Sequence, residues 1–157
     1  MQKITPFLWF DDQAEEAINF YLSVFKNSKI INESRQGGEG PGKPGKLFTA
    51  TFQLEGQQFM ALNAGPMYKF TPAISLFVDC VNQAEVDQLW SRLLEGGGEE
   101  SRCGWLTDRF GLSWQIIPQA MSRYLGDPDP VRAGRAMQAM MQMVKIDVAA
   151  LEKAWQG

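Results

Sequence analysis

The sequence contains no histidine among its 157 residues. Histidine is the side chain whose charge normally changes near neutral pH, and it is the commonest protein ligand for transition metals. Its absence excludes a Ser-His-Asp or Cys-His catalytic relay and any imidazole-based zinc or iron site. Acid-base catalysis would therefore depend on carboxylates, lysine, tyrosine or cysteine with shifted pKa values.

Cysteine, long apolar segments and positive charge are also scarce. The two cysteines, Cys80 and Cys103, cannot form a disulfide framework, and the first residues lack the apolar core of a signal peptide, so we predict a cytoplasmic protein. No apolar run approaches the roughly 20 residues that cross a bilayer. Because the net charge is −3, we expect neither nucleic acid nor a membrane as a partner.

The sequence does contain one pattern twice, a short apolar strand followed by an amphipathic helix. Residues 7–11 read Phe-Leu-Trp-Phe-Asp and residues 75–79 read Ser-Leu-Phe-Val-Asp, and Gln-Ala-Glu follows at 13–15 and 83–85. In both copies, apolar residues then recur at helical spacing. With an apolar fraction of 45%, the chain has enough material for a buried core, and the repeat predicts two related modules.

Glycine, proline and capping residues mark the other elements. Asp12 and Asn82, each followed three residues later by Glu, predict the starts of the two helices. Residues 65–72 are predicted as a linker between the modules. The remaining strands are predicted at residues 28–35, 46–54, 57–63, 73–78, 100–106 and 112–117, with a tight hairpin at Glu55-Gly56.

Two segments have no counterpart in the repeat. Residues 37–45, rich in glycine and proline, are predicted as a loop. This loop could hold a phosphate, but it lacks a Gly-Lys-Ser/Thr ending, so a lid or a plain surface loop is favoured. Beyond Pro118 the pattern is helical, with Asp129 and Asp147 as predicted caps.

Several stretches of the chain carry a family resemblance. They are residues 4–10 (Ile-Thr-Pro-Phe-Leu-Trp-Phe), 14–21 (Ala-Glu-Glu-Ala-Ile-Asn-Phe-Tyr), 75–78 (Ser-Leu-Phe-Val), 108–115 (Asp-Arg-Phe-Gly-Leu-Ser-Trp-Gln) and 126–130 (Gly-Asp-Pro-Asp-Pro). These stretches resemble the PhnB-like family of the vicinal oxygen chelate superfamily, which includes glyoxalase I, bleomycin-resistance proteins and extradiol dioxygenases.

The resemblance implies an α+β fold of paired βαβββ modules with a C-terminal helical tail. The first module would span residues 1–65, the second 73–118 and the tail 119–157, in one compact domain overall. The curved sheets would form a cleft, usually within a homodimer. Whether the modules pair within one chain or swap between subunits is left open.

The resemblance also bears on cofactors. Superfamily enzymes hold a divalent metal with four side chains, and the positions carried over are Thr5, Ala61, Ala73 and Gln115. Because alanine has no donor atom, we expect no metal and no other cofactor. Part of the family is labelled 3-demethylubiquinone-9 3-methyltransferase, which implies S-adenosylmethionine, but no Gly-x-Gly loop opens a helix after a strand.

Strand alternation indicates which side chains would line the cleft. Aromatic residues would supply contact area there, and amide or hydroxyl groups would orient a planar ligand. The same aromatic residues could equally fill the interior of the sheets. The predicted ligand-binding residues are Trp9, Phe59, Asn63, Ser75, Phe77, Trp105 and Gln115, and no catalytic residue is assigned.

Three further features each have two interpretations. Asp108 and Arg109 could clamp a ligand, but a turn is favoured. Cys103 beside Arg102 could act as a nucleophile, but it is favoured as a small apolar residue because no general base is evident. A group of tail methionines could receive an apolar ligand, but packing of the tail is favoured; the group comprises Met137, Met140, Met141 and Met143.

The function predicted from these features is binding of a small amphipathic or aromatic molecule in a metal-free cleft. The alternatives are a metal-dependent vicinal oxygen chelate enzyme of isomerase, lyase or dioxygenase type, and an S-adenosylmethionine-dependent methyltransferase. The expected partners are therefore a small-molecule ligand and a second copy of the chain.

Overall fold

The computed structural model describes residues 2–37 and 45–157, and the chain divides into two units, Met1–Phe70 and Thr71–Gly157. Each unit follows the order strand, helix, strand, strand, strand, and further helices follow in the second. The predicted α+β class, with paired βαβββ modules and a helical tail, is confirmed. The division falls inside the segment predicted as a linker. That all segments form one compact domain stays a prediction.

The first unit contains helix α1 (Ala14–Val24) and strands β1 (Phe7–Phe10), β2 (Lys29–Arg35), β3 (Leu47–Leu54) and β4 (Gln57–Asn63). Among the residues described, the strands are ordered β1-β4-β3-β2, with β1 parallel to β4. Glu55 and Gly56 join β3 to β4 with φ values of 49° and 84°. Positive φ at both positions is typical of the tight turns of two-residue hairpins, as predicted.

One face of the first sheet is buried under α1. Alternate residues of the strands point to this face, as the period of two along a strand requires. The helix contributes an apolar stripe at helical spacing, which includes Ala14, Ala17, Ile18 and Tyr21. The buried strand residues are Leu8, Phe10, Ala50, Phe52, Leu54, Phe59 and Ala61. We call the opposite face the open face of the sheet.

The second unit contains helix α2 (Gln83–Leu93) and strands β5 (Ser75–Cys80), β6 (Glu99–Glu100), β7 (Trp105–Thr107) and β8 (Ser113–Pro118). Within the described residues, the strands are ordered β5-β8-β7-β6, with β5 parallel to β8. The prediction of one strand over residues 100–106 is wrong. Cys103 and Gly104 have φ values of 58° and 85°, which breaks the strand at a turn.

Three helices follow β8: α3 (Gln119–Leu125), α4 (Pro130–Met141) and α5 (Val148–Gln156). As predicted, Asp129 and Asp147 cap helices, since their side chains accept hydrogen bonds from the backbone N–H groups of Val131 and Ala150. We call residues 119–157 the tail. None of the helices within residues 2–37 and 45–157 has the length and apolar character needed to span a bilayer.

The tail packs on its own unit. Ile117, at the end of β8, forms a core with Ile146 and Leu151, and Met140 and Met143 pack against it. Met137 and Met141 are exposed on α4. The favoured interpretation of the methionines as packing residues therefore holds for two of the four.

Candidate functional site

Three side chains form a row across one face of the second sheet, opposite to the buried side chains of Leu106, Trp114 and Ile116, and we call this the open face of the second sheet. Phe77 on β5 pairs with Gln115 on β8, and Gln115 pairs with Trp105 on β7. Neighbouring strands are about 4.8 Å apart, so the amide lies between two aromatic side chains. Phe77 is 59% exposed, and Trp105 and Gln115 are partly exposed. We call these three residues the amide row.

A second row, of hydroxyl groups, lies next to the amide row. Ser75 pairs with Ser113, and Ser113 pairs with Thr107. Ser113 is buried, whereas Ser75 and Thr107 are partly exposed. We call these residues the hydroxyl row. Thr107 was missed as a candidate in the sequence, although it follows Trp105 by two positions and alternation alone would have placed it on this face.

One hydrogen bond links the two rows. Nε2 of Gln115 donates to Oγ of Ser75 at 2.9 Å. This bond leaves the amide oxygen as an acceptor and the serine hydroxyl as a donor. If the amide were flipped, the pair would still offer one donor and one acceptor. The pair can therefore recognise a ligand group that both donates and accepts, such as an amide.

The first sheet has a different open face. Its row equivalent to the amide row is Trp9, Leu62 and Thr49. The indole N–H of Trp9 donates to the backbone oxygen of Gly65 at 2.9 Å, and its ring contacts Tyr68 edge-on at a centroid distance of 5.0 Å. Trp9 thus lies on the predicted face, but contacts from its own unit already occupy its polar atom.

The face predicted for Phe59, Ala61 and Asn63 is wrong. β4 pairs with β1 so that Ala61 is beside Leu8 and Asn63 beside Phe10, which puts them on the face under α1. A shift of one residue moves every side chain of a strand to the other face. Phe59 is buried and stacks on Phe52 with ring centroids 5.5 Å apart.

Asn63 has a structural role at the start of α1. Its Oδ1 accepts from the backbone N–H of Ala14 at 2.8 Å, and its Nδ2 donates to the backbone oxygen of Leu47 at 3.0 Å. The prediction that Asp12 caps this helix is wrong. Gln13 occupies the cap position, and Asn63 accepts the hydrogen bond from the first N–H group of the helix. The predicted cap of α2 is confirmed, since Asn82 Oδ1 accepts from Glu85 N–H at 3.0 Å.

The four positions inherited from superfamily metal sites do not fit a divalent cation. Ala61 is buried under α1, and Ala73 precedes β5. The residues beside Ala61 that do reach the open face are Met60 and Leu62, which offer no oxygen ligand. Within residues 2–37 and 45–157, His, Cys, Asp and Glu form no group of three or more that could hold a metal.

The strand-helix junctions do not fit S-adenosylmethionine in the manner of a nucleotide-type site. Residues 11–13 connect β1 to α1, and residues 81–82 connect β5 to α2, both without glycine. Such sites need glycine so that the backbone can approach the cofactor closely at the helix N-terminus. At α2, the side chain of Asn82 already occupies that position.

Asp108 organises the turn between β7 and β8. Its buried carboxylate accepts from the backbone N–H groups of Phe110 at 2.9 Å and Leu112 at 3.1 Å, and from Nε1 of Trp114 at 2.9 Å. The guanidinium of Arg109 lies over the ring of Phe110 at 4.6 Å. The favoured prediction of a turn is therefore confirmed.

The two cysteines lie in different surroundings. Burial raises the pKa of the Cys80 thiol to about 12, with the nearby charges of Glu85 and Asp79 adding to the effect, so this thiol stays protonated at neutral pH. Cys103 lies in the turn after β6, where its backbone N–H donates to the backbone oxygen of Met143 at 2.8 Å. Its observed role is to attach the tail.

A charged concavity of about 530 Å³ lies in the first unit. Arg35 pairs there with Glu15 at 2.7 Å, and the hydrogen bonds that its guanidinium donates to Glu33 and Glu15 raise the pKa of Arg35. Paired charges of this kind do not fit the predicted aromatic ligand. The prediction for the glycine-rich loop falls mainly on residues 38–44, which lie outside the described residues.

Comparisons with known proteins give a family and similar folds. A family model described as 3-demethylubiquinone-9 3-methyltransferase matches residues 2–117. The PhnB protein from Bacillus cereus is 41% identical, with 74% of this chain and 99% of that chain covered and a TM-score of 0.67. None of the curated proteins matches the chain.

Two more distant structures are similar in fold alone. Protein PA1353 from Pseudomonas aeruginosa is 20% identical, with 76% of this chain and 98% of that one covered and a TM-score of 0.60. The fosfomycin resistance protein FosX from Listeria monocytogenes, solved with Mn(II) and sulfate, is 14% identical, with 80% and 95% covered and a TM-score of 0.54.

Proposed function

We propose that this chain binds a small planar molecule without a metal ion. The chain belongs to the PhnB-like family, which is described as 3-demethylubiquinone-9 3-methyltransferase, and it has the vicinal oxygen chelate fold. The observation that carries the proposal is the amide row, in which Gln115 lies between Phe77 and Trp105. The ligand would lie on the open face of the second sheet.

The side chains of the two rows suggest the class of ligand. Phe77 and Trp105 offer aromatic surface, which favours a ring or another flat apolar group. Gln115 and Ser75 together offer a donor and an acceptor, which favour an amide or a hydroxy-carbonyl group on that ring. A small amphipathic molecule with a planar polar head meets both conditions. Trp9, on the first sheet, stays a prediction as a ligand contact.

The alternatives receive less support from the residues present. A metal-dependent enzyme would need oxygen or nitrogen ligands at the four inherited positions, and two of these positions hold alanine. A methyltransferase would need a cofactor site, and the strand-helix junctions lack the glycine loop of such sites. We therefore propose binding or sequestration as the function, with a homodimer as the form in solution.

Titration with a panel of planar metabolites and antibiotics tests the proposal, with benzamide as the reference probe. Binding is followed by calorimetry and by the NMR signals of the Gln115 side-chain amide. Substitution Gln115→Leu, which copies Leu62 of the first sheet, is expected to weaken binding about tenfold because a net hydrogen bond is lost. Gln88→Leu, on the exposed side of α2, is the matched control and should leave affinity unchanged.

Three results would contradict the proposed binding function. The first is the absence of binding by every member of the panel. The second is stoichiometric metal in protein purified without chelators, which would favour the metal-dependent enzyme. The third is saturable binding of S-adenosylmethionine, which would favour the methyltransferase. The proposed homodimer is tested separately, because light scattering at the mass of a single chain would contradict it.

A further inference from the structure

The open face of the second sheet ends at a covered row. The row beyond the amide row pairs Asp79 on β5 with Ile117 on β8. By alternation, Ile117 points to the same face as Gln115, yet it is buried in the core formed with Ile146 and Leu151 of the tail. The tail therefore covers the β8 side of this row, at Ile117, while Asp79 on β5 stays exposed, as does Phe77 of the amide row.

Backbone hydrogen bonds attach the tail to the turn between β6 and β7. The N–H groups of Cys103 and Gly104 donate to the backbone oxygens of Met143 and Val144, both at 2.8 Å. A Cβ on Gly104 would lie 2.7 Å from Cδ1 of Ile117 and 3.0 Å from Cγ1 of Ile146. Glycine at this position thus lets the turn, the sheet and the tail meet without a gap.

Side chains of α2 attach the tail at a second place. The amide of Gln83 donates through Nε2 to the backbone oxygen of Ile146 at 2.9 Å and accepts through Oε1 from the N–H of Val148 at 2.8 Å. Lys145 forms an ion pair with Asp87 at 2.8 Å. With two separate attachments and an apolar core, the tail is fixed in place on the second unit.

We propose that the tail is a fixed wall that limits how far a ligand on the amide row can extend along the strands, and so selects ligands by length. This inference rests on the proposed function of the amide row. Residues two apart on a strand are separated by about 6.8 Å, so the wall begins roughly one ring length from Gln115. The family model ends at residue 117, so the wall is built from residues beyond the match.

Met121, Met140 and Met143 of the tail are partly buried. Met121 and Met143 pack against the core of Ile117, Ile146 and Leu151. Replacing either with alanine would remove apolar atoms from the core that covers Ile117 and would leave the residues of the amide and hydroxyl rows unchanged. Met141, which is exposed on α4, provides a matched control.

The test measures the affinities of benzamide and its 4-alkyl derivatives, from methyl to hexyl, for the full chain. For the unmodified chain, affinity is expected to stop rising within the series, where the alkyl group reaches the wall. In Met121→Ala and Met143→Ala, affinity should go on rising by up to roughly fourfold for each further methylene that becomes buried. Met141→Ala should behave like the unmodified chain.

A second measurement needs no substitution. In spectra of methyl-labelled methionine, the longest tight-binding derivative should shift signals of Met121 or Met143 together with the Gln115 amide, while Met67 of the first unit stays unchanged. Two results would contradict the proposal that the tail is a wall. One is the same dependence of affinity on alkyl length in both variants and in the unmodified chain. The other is a shift of the Gln115 signal with no shift at Met121 or Met143. If Gln115 itself does not respond to any probe, the proposed function fails instead.

Discussion

The two sheets share a register but differ in chemistry. In the first, the central row of the open face is Trp9, Leu62 and Thr49; in the second, the equivalent row is Phe77, Gln115 and Trp105. An aromatic residue begins each row, but the centre is apolar in one and an amide in the other. A repeated backbone pattern therefore does not repeat the side chains of the row, and of the two rows only that of the second unit has a central amide.

The two units also differ in the residues that stabilise the turn between their last two strands and the start of their first helix. The turn between the last two strands is an exposed hairpin at Glu55-Gly56 in the first unit and is organised by buried Asp108 in the second. The first helix is capped by Asn63 from a distant strand, and the second by Asn82 next to it in sequence. The first turn of the helix is thus capped by a residue distant in sequence in the first unit and by a neighbouring residue in the second.

The largest expected effect distinguishes the two turns. Asp108→Ala would remove the acceptor of three hydrogen bonds, two of them buried, so we expect the free energy of unfolding to fall by about 3 kcal/mol or more. Glu55→Ala is the matched change in the other turn, where one exposed bond to Lys26 N–H is lost, and should cost less than about 1 kcal/mol. Urea denaturation measures both, and equal losses would remove the contrast.

A smaller effect distinguishes the two helix caps. Asn63→Ala removes a partly buried side chain that bonds both Ala14 and Leu47, and should cost about 2 kcal/mol of unfolding free energy. Asn82→Ala removes one exposed capping bond and should cost about 1 kcal/mol. Thermal and urea unfolding provide the comparison. A larger loss for Asn82→Ala would show that the distant cap is dispensable.

The smallest effect concerns pH and the ion pairs of the two units. The hydrogen bonds from Lys145 and Gln83 hold the pKa of Asp87 below its usual value of 3.8. Because the folded pKa is the lower one, the stabilisation is present above about pH 4 and is lost as pH falls through the folded value. The pair is exposed, so Asp87→Asn should cost less than about 1 kcal/mol at pH 7, and the cost should become smaller as the pH falls towards 2.

Thermal unfolding across this pH range checks the last prediction. The control is Asp12→Asn in the first unit, where the distance to Lys46 is 4.0 Å and both side chains are well exposed. It should lower the melting temperature at pH 7 by less than Asp87→Asn does. A loss for Asp87→Asn that persists unchanged at pH 2 would exclude the ion pair as its cause.

Most of the fold could be predicted because its signals are local. The repeat at residues 7–15 and 75–85, the caps at Asn82, Asp129 and Asp147, and the hairpin at Glu55-Gly56 each depend on neighbouring residues. The turn at Cys103-Gly104 was missed because a non-glycine residue with positive φ is uncommon, and the one local signal for it is Gly104 inside the predicted strand.

The candidate site was predicted only in its second half. Alternation predicted that Ser75, Phe77, Ser113 and Gln115 share one face, and the pairing of β5 with β8, with Ser75 beside Ser113 and Phe77 beside Gln115, confirms it. Alternation gave the wrong face for Phe59 and Asn63. The face to which each β4 side chain points depends on the register between β4 and β1, and this register cannot be derived from the sequence of either strand alone. The role of Asn63 required a contact 49 positions away in sequence.

The amide of Gln83 gives the tail a signature that can be sought in other sequences. This amide hydrogen-bonds to the backbone carbonyl of Ile146 and to the backbone N–H of Val148, which is the pattern that a neighbouring strand would provide. Asp87, which forms an ion pair with Lys145, follows Gln83 one helical turn later. A relative that ends after its last strand has nothing for this pair to hold. Glutamine and aspartate at these positions should therefore be inherited together with the helices that they bind.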